Sequence, residues 1–148
     1  MSILKIKKVR ENAIIPKRAT DGSAGMDLYA CIDAPIEMKP GDRVMVPTGI
    51  AIALPDANQV ALIFARSGLA VKKGINLSNS VGVIDSDYRG EIQVGLINQS
   101  RDAYTLEAGE RIAQLVVMPV CLPEVQEVAE LDDTERGEGG FGSTGRKG

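Results

Sequence analysis

The sequence predicts an all-β domain followed by a glycine-rich arm. Three observations predict it. Apolar residues recur mostly with a period of two, Gly, Pro and Asp turn signals punctuate the chain at regular intervals, and no segment sustains the 3.6-residue periodicity of a helix. Many short strands joined by such turns make a β-sandwich or barrel, such as a jelly roll, the expected architecture. The 148 residues fit one domain with a sizeable core.

In chain order, Ile3-Leu-Lys-Ile-Lys7 and Arg43-Val-Met-Val46 read as strands, and Ile50, Ile52 and Leu54 share one face of a third. Val60 to Phe64 and Ile112 to Met118 are near-continuous apolar runs suited to buried strands. In Glu91 to Ile97, the residues Ile92, Val94 and Leu96 alternate with Gln93 and Gly95. Turns are expected at Lys39-Pro-Gly-Asp42, Pro47-Thr-Gly49, Leu54-Pro-Asp-Ala-Asn58 and Glu107-Ala-Gly-Glu110. Ser67 to Lys73 can hold a short helix, and Pro123 to Leu131 has no clear period. The map is a β domain over 1–131 and an arm over 132–148. Five glycines in the ten residues from Arg136 to Gly145 make the arm costly to order and mobile when free. It nevertheless carries one aromatic ring, one guanidinium and two neighbouring hydroxyls.

Composition excludes several chemistries. The chain has no histidine, which removes a Ser-His-Asp triad, a Cys-His dyad and the usual His-containing zinc sites. A general base must be Asp, Glu, Lys or Tyr, and a metal must be a hard ion held by oxygens, with magnesium or calcium fitting best. A net charge of −3 argues against a nucleic-acid polymer as partner. No apolar run is long enough to span a bilayer, and the lysine-broken N-terminus lacks a signal-peptide core. Cys31 and Cys121 form no CxxC pair, and two reduced thiols in a cytoplasmic protein is the expectation.

Four polar clusters interrupt the strands. The densest, Gly82-Val-Ile-Asp85-Ser-Asp87-Tyr88-Arg-Gly90, is explained on its own by a hairpin loop. It also sets a carboxylate directly after a hydrophobic strand, where a loop on a rigid sheet can fix it at a pocket floor. Aspartates are ordinarily ionised at neutral pH, so Asp85 can orient and deprotonate a water. In Ala65-Arg66-Ser67-Gly68-Leu69, an Arg, a Ser and backbone N–H groups at a helical turn suit a phosphate, and an exposed turn explains them equally well. Asp27, after small residues in Gly22-Ser-Ala-Gly-Met26, is either a turn residue or a magnesium contact; one carboxylate suffices when phosphates and waters supply the other ligands. Gln114 interrupts an apolar strand and needs partners, structural or ligand.

Together with the tail these clusters resemble the trimeric dUTPase family over nearly the whole length. Five family motifs occur in order: AGMDLYA at 24–30, RSGLA at 66–70, NSVGVIDSDYRGEI at 79–92, GERIAQLVV at 109–117 and RGEGGFGSTG at 136–145. One motif is weak; five in order are highly specific. The departure is Ala65, where the family usually has proline, and it removes no reactive group.

The resemblance implies a distorted jelly-roll-like β-barrel with a mobile C-terminal arm, assembled as a homotrimer with sites at subunit boundaries. It implies hydrolysis of dUTP to dUMP and pyrophosphate by water attack on the α-phosphorus, with Mg2+ as cofactor. Asp85 matches the acid that activates the water. Tyr88 matches the ring beneath the deoxyribose, which leaves no room for a 2′-hydroxyl. Asn79 and the backbone at Val83, Ile84 and Asp85 match the segment that reads uracil, and Gln93 lines the same pocket. Arg66, Ser67, Gly68 and Gln114 match the holders of the phosphate chain, and Asp27 the residue that binds the metal through water. Phe141 matches the ring that stacks on uracil. Arg136, Gly142, Ser143 and Thr144 belong to the tail that closes over the nucleotide and holds its distal phosphates. Two alternatives on the same scaffold are a dCTP deaminase or bifunctional deaminase–dUTPase, for which Glu91 is the candidate acid, and a non-catalytic nucleotide sensor, expected to have lost Asp85 or the tail.

Overall fold

The computed structural model describes residues 2–145, so the last three residues of the expected arm, 146–148, lie outside the described residues. Eleven strands and one short helix make up the regular structure of that span. They run β1 (Lys5–Lys8), β2 (Met26–Tyr29), β3 (Ile36–Met38), β4 (Arg43–Pro47), β5 (Ile50–Ala53), β6 (Gln59–Phe64), α1 (Ser67–Lys73), β7 (Ile75–Leu77), β8 (Gly82–Ile84), β9 (Gln93–Asn98), β10 (Tyr104–Leu106) and β11 (Arg111–Pro119). The fold is all-β. Strand pairing is antiparallel throughout and forms a four-stranded sheet β2-β11-β6-β8, a three-stranded sheet β4-β9-β7 and the pairs β1-β5 and β3-β10. These ladders do not close into one barrel among the described residues.

One apolar core lies between the sheets. Alternate residues point into it: Val94 and Leu96 from β9, Leu28 from β2, Ala61 and Ile63 from β6. Each such Leu, Ile or Val contributes about 2 kcal/mol by leaving water. In β11 the pairing with β2 slips between Arg111 and Ala113, and this bulge lets consecutive Ile112 and Ala113 both face inward. Asn98 is fully buried and satisfied. Its amide donates to the carbonyls of Met38 and Asp102, and its oxygen accepts from the N–H and hydroxyl of Ser100.

The expected strands occur, with ends shifted by a residue or two. β1 starts at Lys5 rather than Ile3 because its register runs from Lys5 opposite Ala53 to Lys8 opposite Ile50. The short helix spans Ser67–Lys73, and Gly74 closes it in the left-handed conformation. The three-residue strands β3, β7, β8 and β10 are too short for a periodic signal. One expectation is corrected. The Asp85–Gly90 segment is not the loop of a hairpin, since β8 pairs with β6 while β9 pairs with β4 and β7. It is a crossing between two sheets. β11 ends at Pro119, and from Cys121 to Gly145 every residue except Gly139 is exposed and outside regular structure. No helix among the described residues is long and apolar enough to cross a membrane.

Candidate active site

Three neighbouring strands gather one half of the site. Gln114 in β11 stands opposite Asp27 of β2 on one side and Phe64 of β6 on the other. Arg66 follows Phe64 by two residues. The Nε of Arg66 donates to Oδ1 of Asp27 at 2.8 Å, and a terminal nitrogen of Arg111 reaches the other carboxylate oxygen at 3.4 Å. Gln114 Nε2 donates to the carbonyl of Ala65 at 3.0 Å, which leaves its amide oxygen free. That oxygen lies close against Gly25, where a Cβ would force the Gln114 side chain to shift. These residues line a cavity of about 370 Å³ with Ser23, Ser67 and Gly68. Two guanidiniums around one carboxylate leave a net positive charge, and the first N–H groups of α1 have no intrahelical acceptor. The cavity suits an anion with several oxygens.

The crossing segment builds the other half. After β8, the Tyr88 N–H donates to the Asp85 carbonyl at 3.1 Å and turns the chain. Asp85, Tyr88 and Gln93 line a second cavity of about 310 Å³ with Val83, Ile84 and Met45. The ring of Tyr88 folds over Gly90, where a Cβ would come within 2.3 Å of the phenol oxygen, and its hydroxyl donates to the Glu91 carbonyl at 3.1 Å. The Glu91 carboxylate accepts a two-armed contact from Arg10, at 2.6 and 3.1 Å, and the Gly49 N–H at 2.9 Å. The Arg10 hydrogen bond chiefly, with the Gly49 N–H, holds the Glu91 carboxyl below the ordinary value. Next to it Ile92 is buried, and Thr48 donates to its carbonyl through both hydroxyl and N–H. The apolar walls and one exposed ring suit a flat base with a sugar.

Within one chain the two cavities share no lining residue. Asn79 sits apart from both, in an exposed turn beside Ser80, whose φ of 66° is left-handed. The arm joins neither. Arg136, Gly142, Ser143 and Thr144 are exposed, and among the described residues the arm's hydrogen bonds are all internal, such as Arg136 Nε to the Gly139 carbonyl at 2.9 Å. Phe141 takes a φ of 45°, costly for a residue with a side chain, and its ring is wholly exposed. A larger depression of about 680 Å³ beside Lys5, Asp56, Gln59 and Arg89 contains none of the residues expected in the site.

Sequence reasoning missed Arg111, Met45 and Arg10. Arg111 lies inside a motif but has no distinguishing neighbour in sequence. Met45 in β4 and Arg10 in the bend after β1 are remote in sequence from the crossing segment, and only folding brings them to it. Among the described residues no three His, Cys, Asp or Glu side chains group to hold a metal.

The family model described as dUTPase matches residues 11–145. The chain is 55% identical over 133 residues to the deoxyuridine 5′-triphosphate nucleotidohydrolase of Aeromonas salmonicida, covering 90% of this chain and 88% of that protein. It is 51% identical over 143 residues to the enzyme of the same name from Burkholderia cenocepacia, covering 97% of each. Among solved structures, the dUTPase G164S mutant of Staphylococcus bacteriophage 80alpha with dUpNHpp superposes with a TM-score of 0.88 at 28% identity, over 98% of this chain and 99% of that one. An anion cavity between β2, β11 and β6, a base-sized cavity at the β8–β9 crossing and these likenesses agree, and the chain belongs to the dUTPase family.

Proposed function

We propose that the protein is a dUTP nucleotidohydrolase that releases dUMP and pyrophosphate. The observation that carries this reading is the pair of cavities: one with Arg66, Arg111 and free donors for phosphates, one with Asp85 and Tyr88 for the nucleoside. Asp85 accepts a proton from a water as that water's oxygen bonds to the α-phosphorus; the bond from the α-phosphorus to the bridging oxygen breaks, and pyrophosphate leaves with the electron pair. Arg66, Ser67, Gly68 and Gln114 hold the phosphate chain in line with the water. Tyr88 underlies the sugar and leaves no space for a 2′-hydroxyl, while Asn79, Val83 and Ile84 with Gln93 read the uracil edge.

Magnesium fits this donor set only through water. Asp27 is a single carboxylate already engaged by Arg66 and Arg111, and its remaining lone pairs suffice for a metal-bound water but make no cage. The ion would neutralise charge on the phosphates it accompanies.

The arm from about residue 132 acts as a lid. Phe141 stacks on uracil, and Arg136, Ser143 and Thr144 clamp the distal phosphates, with Gly142 letting the backbone close tightly. Closure that depends on the triphosphate makes dUDP a poor substrate. The working form is a homotrimer with shared sites. The separation of the two cavities supports this, as do Leu122, Val125 and Leu131, apolar side chains left exposed by a single chain. The cellular role is cytoplasmic: limiting uracil in DNA and supplying dUMP for thymidylate synthesis, with no nucleic-acid polymer or membrane as partner. The deaminase alternative needs a carboxylic acid free to protonate a ring, whereas the Glu91 carboxyl is held by Arg10 and Gly49 and kept charged.

Incubation with dUTP and magnesium, followed by separation of products, tests the reading. Pyrophosphate and dUMP are expected. Orthophosphate as product, or binding without turnover, sinks it, and ammonia release in a parallel incubation with dCTP would support the deaminase alternative.

A further inference from the structure

The position of Tyr88 is not set by the crossing segment alone. Its hydroxyl is tied to the carbonyl of Glu91, and its ring rests on Gly90. Glu91 is in turn tied to two distant parts of the chain. The β4–β5 turn gives the Gly49 N–H, and the bend after β1 gives Arg10, whose planar fork engages both carboxylate oxygens. Gly49 is itself fixed. Its φ of 72° and the close approach of Ala13, Cys31 and Arg10 admit no side chain, and its carbonyl accepts the N–H groups of Val9 and Arg10. The Glu91 side chain is only 17% exposed, while the Arg10 side chain is 46% exposed, so water reaches the contact from the guanidinium side. Ile92 anchors the adjoining peptide by accepting from Thr48 and donating to the Ile50 carbonyl. The floor beneath Tyr88 is therefore stapled to the bend after β1 through one carboxylate.

We infer that the Arg10–Glu91 pair is a positioning device that holds Tyr88 at the depth required to reject a ribose, so that discrimination between deoxyribo- and ribonucleotides depends on a residue outside the five motifs. This rests on the dUTP reading above. Arg10 touches no bound group in this scheme and acts through Glu91. A ring that sits lower makes room for a 2′-hydroxyl, so the pair acts on selectivity more than on the chemical step.

The test measures kcat and KM for dUTP and for UTP with the full-length protein and with Arg10→Met, Glu91→Gln, the double variant and Arg10→Lys. Tyr104→Phe is the stability control. It breaks the Tyr104–Glu110 hydrogen bond, and neither residue lines the two cavities. The expected result is a fall of about tenfold in the dUTP-to-UTP ratio of kcat/KM for each single variant. The double variant should lose no more than either single one, and Arg10→Lys should restore part of the ratio. Glu91→Gln preserves an acceptor for Gly49 and keeps the test open should Arg10→Met fold poorly. An unchanged ratio in variants that still hydrolyse dUTP overturns the positioning role and leaves the dUTP reading standing. An equal fall in Tyr104→Phe overturns it as a general loss of rigidity. Absence of dUTP turnover in the unsubstituted protein overturns both.

Discussion

Asp85 and Arg66 stand at opposite ends of the same pair of strands. β8 runs antiparallel to β6 with Ile84 opposite Ala61, so Asp85 leaves the pair beside the start of β6 while Arg66 follows its end. Strand rise puts their backbones on the order of 15–20 Å apart. Under the proposed roles, a nucleotide whose α-phosphate meets Asp85 and whose phosphate chain meets Arg66 would call on two copies of the chain. Mixing Asp85→Asn with Arg66→Ala protein, each inactive alone, should restore activity in roughly a quarter of the sites once subunits exchange. Turnover measured before and after joint refolding checks this. No recovery in verified mixed oligomers means that one chain supplies both groups.

Asp85→Asn removes the proposed base and preserves shape. The expected loss is about 10²–10⁴-fold in kcat with KM for dUTP little changed. Steady-state kinetics alongside binding of a non-hydrolysable dUTP analogue separates the two. Near-native turnover would show that Asp85 is misassigned.

Truncation after Asp133 removes exposed residues whose hydrogen bonds are local. The protein should keep its fold and thermal midpoint while activity drops at least about tenfold. Circular dichroism and turnover check both halves of the expectation. The chain has no tryptophan, so Phe141→Trp also supplies a clean fluorescence signal. It should change on adding a dUTP analogue and much less with dUMP.

The Glu91 carboxyl is held below its ordinary value of 4.5 by Arg10 first, while burial acts the other way. A depressed folded-state value means stability that is present above about pH 4.5 and lost as pH falls through the lower, folded value. Thermal unfolding from about pH 6 down to about pH 3 should show a steeper loss in the unsubstituted protein than in Glu91→Gln, which has no proton to gain. Parallel curves would remove Glu91 from the acid transition.

The strand alternation, room for a short helix at Ser67–Lys73 and the candidate reacting groups were legible in the sequence. These depend on local periodicity, on turn chemistry and on residue types such as Asp85 and Arg66 that have few substitutes. The sequence left β3, β7, β8 and β10 unseen, since three residues are too short to show a period. Tertiary structure alone decided which groups meet. The β2-β11-β6 register brings Asp27, Gln114 and Arg66 together across long stretches of chain, and the crossing of 85–92 between two sheets sends Glu91 to Arg10 and Gly49. The physical reason is that strand pairing is non-local. A carboxylate and its guanidinium can lie 81 residues apart in sequence with no local pattern to betray the contact.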